Sequence, residues 1–189
     1  IQGELELRRN ACKPGDIILT TGIHGLSKLG FMIQNKNFFD NHVSINKRLI
    51  TKSIKHFCRP QVYPNFLKNL LKTRSNKKIK RIGCTDSSDG LFQALQDLAS
   101  ASNCKAIINY EQIPKDKDWP KGDKWDKYYF FGGEDYELVF SLPKKWANNL
   151  TKLDKNIYKI GYFAKGKPLI EFKDKNKNKL LENKPFKHF

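Results

Sequence analysis

Four cysteines in 189 residues, Cys12, Cys58, Cys84 and Cys104, include no CxxC pair. A structural zinc needs closely paired thiolates, so this spacing argues against a metal-built fold. Free thiols in a reducing cytoplasm are the expected state. Long apolar runs are also missing. Ile17–Leu19 and Leu138–Phe140 fall far short of the roughly 20 residues a membrane span requires, so no membrane partner is expected. Ile1-Gln2-Gly3-Glu4 has no initiating Met and no basic region followed by an apolar stretch. It is not a signal peptide and is expected to be a cut edge of a longer chain. No internal repeat is found. Acid is scarce, with 19 Asp and Glu against 36 Lys and Arg, a formal charge of +17. That excess would support phosphate-backbone binding if it were clustered among aromatics on one face. Lysine is instead spread through every segment and far outnumbers arginine, the better bidentate phosphate ligand. The charge is therefore assigned to solvated faces, and nucleic acid is not the expected partner.

A 39% hydrophobic and 12% aromatic content excludes a wholly disordered chain. A domain of this length buries roughly 70% of its unfolded surface, enough for a core without disulfides. Residues 1–15 read as a connector closed by the turn Lys13-Pro14-Gly15. Strands are predicted at 16–22, 82–85, 104–110, an alternating 136–141, 157–162 and 168–172. Helices are predicted from Leu26 to Ile33, over 45–57, from Phe66 to Leu71, from Leu91 to near Asn103, and around Trp146–Leu153. Residues 115–127 read as an exposed loop, and 173–179 as a solvated hairpin tip. Helices and strands mix without strict alternation, which predicts an α+β fold of helices layered on a mostly antiparallel sheet.

Two constellations carry chemistry. Asp86-Ser87-Ser88-Asp89-Gly90 lies between a strand and a helix start, and its two carboxylates, three residues apart, can face one cation. Mg²⁺ prefers such oxygens and commonly takes one or two carboxylates plus substrate phosphates. Free N–H groups at the helix start can hold phosphate oxygens, and Gly90 admits close approach. On this turn alone, Ser88 or Asp89 serving as a helix N-cap is an equal alternative. Gly132-Gly133-Glu134-Asp135-Tyr136-Glu137-Leu138 places two glycines and two acids at a strand entrance. That pattern suits backbone pressed against a ligand, or a glycine bulge with solvated acids.

Taken together, the two motifs resemble the C-terminal domain of the thiamine-monophosphate kinases, in a superfamily with aminoimidazole ribonucleotide synthetase and selenophosphate synthetase. Further segments agree in order: 7–16, Thr21-Gly22 with Gly25-Leu26-Ser27, His56-Phe-Cys-Arg59-Pro60, and the closing Phe186-Lys-His-Phe189. The resemblance implies ATP as co-substrate, thiamine monophosphate as substrate and direct in-line phosphoryl transfer. It implies that Asp86 and Asp89 bind Mg²⁺ and are the catalytic acids, and that Ser88 contacts ATP. It also implies that Arg9 reaches the nucleotide phosphates, Glu134 holds the thiamine end and Phe186 stacks on it, in a position where the family commonly has Trp. Ser87 replaces a usual apolar residue. The rest of residues 16–189 would be this domain, with 1–15 joining it to an absent N-terminal domain that supplies further Asp ligands, much of the ATP site and a homodimer contact. The chain alone is then expected to have little activity. A related enzyme acting on another phosphorylated substrate and a non-catalytic binding module are the alternatives. His24, His42, His56 and His188 are dispersed and read as structural or exposed.

Overall fold

The computed structural model describes residues 4–35, 45–61 and 63–182. Seven short strands form one sheet: β1 (Glu6–Arg8), β2 (Ile17–Thr21), β3 (Arg81–Asp86), β4 (Lys105–Ile108), β5 (Leu138–Leu142), β6 (Ile157–Ala164) and β7 (Ile170–Phe172). Their order is β1-β3-β5-β2-β6-β4-β7. The four inner pairings, β3 to β5 to β2 to β6 to β4, are antiparallel. Only the outer strands β1 and β7 join their neighbours in parallel. The helices are α1 (Leu26–Gln34), α2 (Lys47–Cys58), α3 (Phe66–Thr73), α4 (Leu91–Ser102), α5 (Asp123–Phe131) and α6 (Lys144–Leu153).

Period-two alternation sends successive strand side chains to opposite faces. In β5, Val139 enters one apolar cluster while Phe140 and Leu142 enter the other. The first cluster packs Leu29 of α1, Leu49 of α2, Leu95 of α4 and Trp125 of α5. The second packs Phe66 and Leu70 of α3 with Trp146 and Leu150 of α6. Helices thus cover both faces of a mostly antiparallel sheet, as an α+β fold requires.

Three local readings change. Within 1–15, residues Glu6–Arg8 add an edge strand beside β3. Residues 115–127 are not simply an exposed loop: α5 begins at Asp123, and Asp116, Trp119 and Trp125 are buried. The cause is long-range. Arg48 and Lys52 of α2 bind Asp116, and the Trp119 and Trp125 rings meet edge to face at 6.4 Å. The region 173–179 is not a hairpin tip, because Lys175–Glu182 is a 3₁₀ helix following a strand that pairs in parallel with β4. All four cysteines are free, and among the described residues no helix is long and apolar enough to cross a membrane.

Candidate active site

Strand β3 ends at Asp86, opposite Leu138 of β5. Ser88 then folds back, donating from its N–H (3.1 Å) and its hydroxyl (2.7 Å) to Asp86 Oδ1. Asp86 Oδ2 accepts no bond among the described residues, and the carboxylate is exposed. The Gly90 N–H donates to the Ser87 carbonyl at 3.0 Å, closing the turn. Gly90 takes φ +93° as the N-cap of α4, so neither Ser88 nor Asp89 occupies the cap position. A side chain at Gly90 would meet the carbonyl oxygens of Phe131 and Gly132 at 3.0 Å. The glycine thus serves the approach of the second motif.

That second motif docks directly onto the turn. The Glu134 N–H donates to the Ser88 carbonyl (2.7 Å), and the Ser87 N–H to the Glu137 carbonyl (2.8 Å). Glu137 N–H returns a bond to the Ser87 hydroxyl at 3.1 Å. Ser87 is fully buried, and its hydroxyl ties the two motifs together. Glu134 and Tyr136 adopt φ +68° and +54°. Such left-handed backbone costs an ordinary residue roughly 1–2 kcal/mol and concentrates at functional sites. It also explains why the alternating strand starts at Leu138 rather than Tyr136. The Tyr136 hydroxyl donates to Glu134 Oε2 at 2.7 Å. That bond and the Glu134 charge push the phenol up, with smaller pushes from burial and from Asp86 and Asp89.

Arg9 follows β1 and reaches the same sheet end. Its Nε donates to Thr85 Oγ1 (3.1 Å), one residue before Asp86, and its Nη1 lies 3.6 Å from Asp97 of α4. Asp86, Ser88, Asp89 and Glu134 therefore gather around one corner, and Arg9 is held next to it, on Thr85 and Asp97. Phe186 lies outside the described residues, as do His42 and His188.

Other roles were not legible from the motifs. Asp135 is buried at 1% exposure and accepts N–H bonds from Gly25 and Ser27, capping α1. Gly132 is pressed against its own chain: a Cβ there would lie 2.2 Å from the Tyr128 carbonyl oxygen. His24 is wholly buried with Nε2 2.6 Å from the Thr20 hydroxyl, and burial brings it down to about 4. His56 lies 3.7 Å from both Asp135 and Glu137. A signal for the Asp135 cap existed only in three dimensions, since its partners are about 110 residues away.

Burial pushes the Asp135 carboxyl up to about 7 from 3.8, against the pull of the Ser27 and Gly25 N–H groups. A folded-state value above the unfolded one means the folded chain holds an extra proton between the two. The resulting stability is full below pH 3.8 and is lost as pH rises through 7. Relative to Asp135→Asn, wild-type stability should therefore fall by up to about 1.4 kcal/mol per pH unit between pH 4 and 7. Urea midpoints of both proteins across that range check this; parallel curves would contradict it.

The donor set suits a hard cation. Asp86 and Asp89 offer carboxylate oxygens and Ser88 a hydroxyl, with one Asp86 oxygen uncommitted. Among the described residues no group of three or more His, Cys, Asp or Glu could hold a metal by itself. Two carboxylates completed by ligand phosphates are nonetheless a common magnesium arrangement.

Comparison with known proteins adds an independent line. Residues 13–172 match the family model described as AIR synthase related protein, C-terminal domain. The thiamine-monophosphate kinase of Prochlorococcus marinus is 36% identical over 165 residues, covering 87% of this chain and 50% of that protein. That of Buchnera aphidicola subsp. Schizaphis graminum is 32% identical over 199 residues, covering 100% of this chain and 57% of its own length. The chain thus spans about half the length of the curated relatives it matches. Among solved structures, the thiamine-monophosphate kinase of Stenotrophomonas maltophilia superposes with TM-score 0.70 at 21% identity, over 87% of this chain and 52% of that one. AaThiL complexed with AMPPCP and TMP gives 0.68 at 23% identity, over 87% and 50%. These likenesses establish the fold.

Proposed function

The chain belongs to the AIR synthase related protein, C-terminal domain family, and from that premise we propose that it is the C-terminal half of an ATP-dependent kinase converting thiamine monophosphate to thiamine diphosphate. One observation carries the reading: the turn bearing Asp86 and Asp89 is bonded through Ser87 and Ser88 to the segment bearing Glu134. A cation and phosphate corner thereby sits beside a carboxylate able to hold the other end of a substrate. The names of the curated relatives and the AMPPCP complex of a fold neighbour support the kinase and its nucleotide.

In this reading the acceptor is a phosphate oxygen, already ionised, so no general base is required. The chemical difficulty is bringing two polyanions together, and positioning with charge neutralisation supplies most of the rate. Asp86 and Asp89 would hold Mg²⁺, and Ser88, donating to Asp86 Oδ1, keeps that carboxylate oriented beside the nucleotide. Magnesium, when bound, neutralises phosphate charge. Arg9 adds a fixed positive charge at the phosphates, anchored through Thr85 and Asp97. Glu134 and Phe186 bind the thiamine end, and Tyr136 orients the Glu134 carboxylate. Residues 1–15 lead from an N-terminal domain that supplies further acidic ligands and a homodimer contact.

Joined to the remaining half of a curated relative, the chain is expected to transfer label from γ-labelled ATP to thiamine monophosphate in preference to other phosphorylated acceptors. The chain alone should give little product. Robust turnover by the isolated chain, or equal labelling of unrelated acceptors, would contradict the proposal.

A further inference from the structure

A cavity of about 280 Å³ opens over the ends of β2 and β6, at the same sheet end as the acidic turn but two strands along from β3. It is close to the lower limit of small-molecule sites, roughly 300–1,000 Å³. Its floor is the Glu137 carboxylate, 2% exposed. Thr21 and Tyr63 each donate a hydroxyl hydrogen to it, at 2.5 and 3.1 Å. An ionised carboxylate has about four acceptor positions, so these bonds leave capacity for a further donor. His56 Nε2, at 3.7 Å, is too far to take it up. Gly22, at φ +57°, lets the backbone close over this group; a Cβ there would lie 2.0 Å from Glu137 Oε1.

The mouth has the opposite charge. Arg48 and Lys52 of α2 are committed to Asp116 and Asp118. Lys55 and Arg59, one turn apart at the end of the same helix, make no ion pair among the described residues, and both line the cavity. Two cations at the mouth suit a doubly charged phosphate better than a single carboxylate. A buried carboxylate at the floor rejects a simple anion and calls for an N–H donor. Ile23, Leu26 and Tyr158 supply apolar wall between the two.

We infer that this cavity is a second small-molecule site, taking a phosphate ester that also carries an amino group. The phosphate lies between Lys55 and Arg59, and the amino group donates to Glu137.

The test is calorimetric titration of the full chain, without magnesium, using phosphoethanolamine, ethyl phosphate and inorganic phosphate. Phosphoethanolamine should bind at least tenfold more tightly than ethyl phosphate, which lacks only the amine. The exposed-residue variant Lys55→Ala/Arg59→Ala should weaken phosphoethanolamine tenfold or more, while Asp86→Asn leaves it unchanged. Equal binding of the three probes would mean attraction to a basic surface and overturn the inference. So would undetectable phosphoethanolamine binding, or binding that Asp86→Asn removes and the double variant keeps.

Discussion

Asp89→Asn is expected to lower the kcat of the completed enzyme by at least about 10²–10³-fold, the scale seen when one charge-stabilising group is lost from a transfer site. The change keeps size and a neutral oxygen but removes the negative charge that would hold Mg²⁺ beside the nucleotide phosphates. Asp89 is half-buried one residue before the glycine that starts α4, and its role there is not that of the helix cap. The fold should therefore survive, with unfolding free energy within about 1 kcal/mol of wild type, since the near-isosteric amide opens no cavity. Steady-state labelling beside urea unfolding separates the two effects. Wild-type turnover in Asp89→Asn would remove this residue from the chemistry.

The largest stability effect should come from the opposite face of the sheet. Trp146 of α6 has no exposed surface, and its indole N–H donates to the Leu70 carbonyl of α3 at 3.0 Å. It belongs to the cluster that packs Phe66, Leu70 and Leu150 beneath Leu19, Phe140 and Leu142. Trp146→Ala removes that contact area, opens a cavity and leaves the Leu70 carbonyl with its longer bond from the Thr73 hydroxyl, at 3.2 Å. Such truncations cost roughly 3–5 kcal/mol. For a chain of this length that is roughly 6–20 °C in Tm. β3 and β5 carry the two motif loops and rest on this layer, so loosening it also loosens the corner where Asp86 meets Glu134. Calorimetry checks the shift; a loss below about 1 kcal/mol would mean that α6 is not part of the core that holds the strands.

The regular elements were legible because their signals are local. Strand β2, the amphipathic helix around Leu91–Leu98 and the α+β class follow from apolar spacing and glycine punctuation. The acidic turn was legible for the same reason, as two carboxylates and a glycine between a strand and a helix. The docking of that turn onto the Gly132–Glu137 segment was not, since the hydrogen bonds between Ser87 and Glu137 join residues 50 apart. Asp135, one of two acids at a strand entrance with no role assigned from sequence, is a helix cap, because its partners Gly25 and Ser27 reach it only through folding. Residues 115–127 looked solvated because the segment is mostly polar and carries Pro120 and Gly122. Two tryptophans and an aspartate held by α2 nevertheless bury much of the segment. Tyr136 and Glu137 stood inside the second motif with no role beyond an alternating strand, which left-handed backbone at Tyr136 interrupts.

The most direct measurement is diffraction from crystals of the completed enzyme soaked with magnesium chloride and AMPPCP. The account predicts magnesium between the carboxylates of Asp86 and Asp89, shared with the nucleotide's phosphate oxygens. Nucleotide bound with no metal at either aspartate would contradict it.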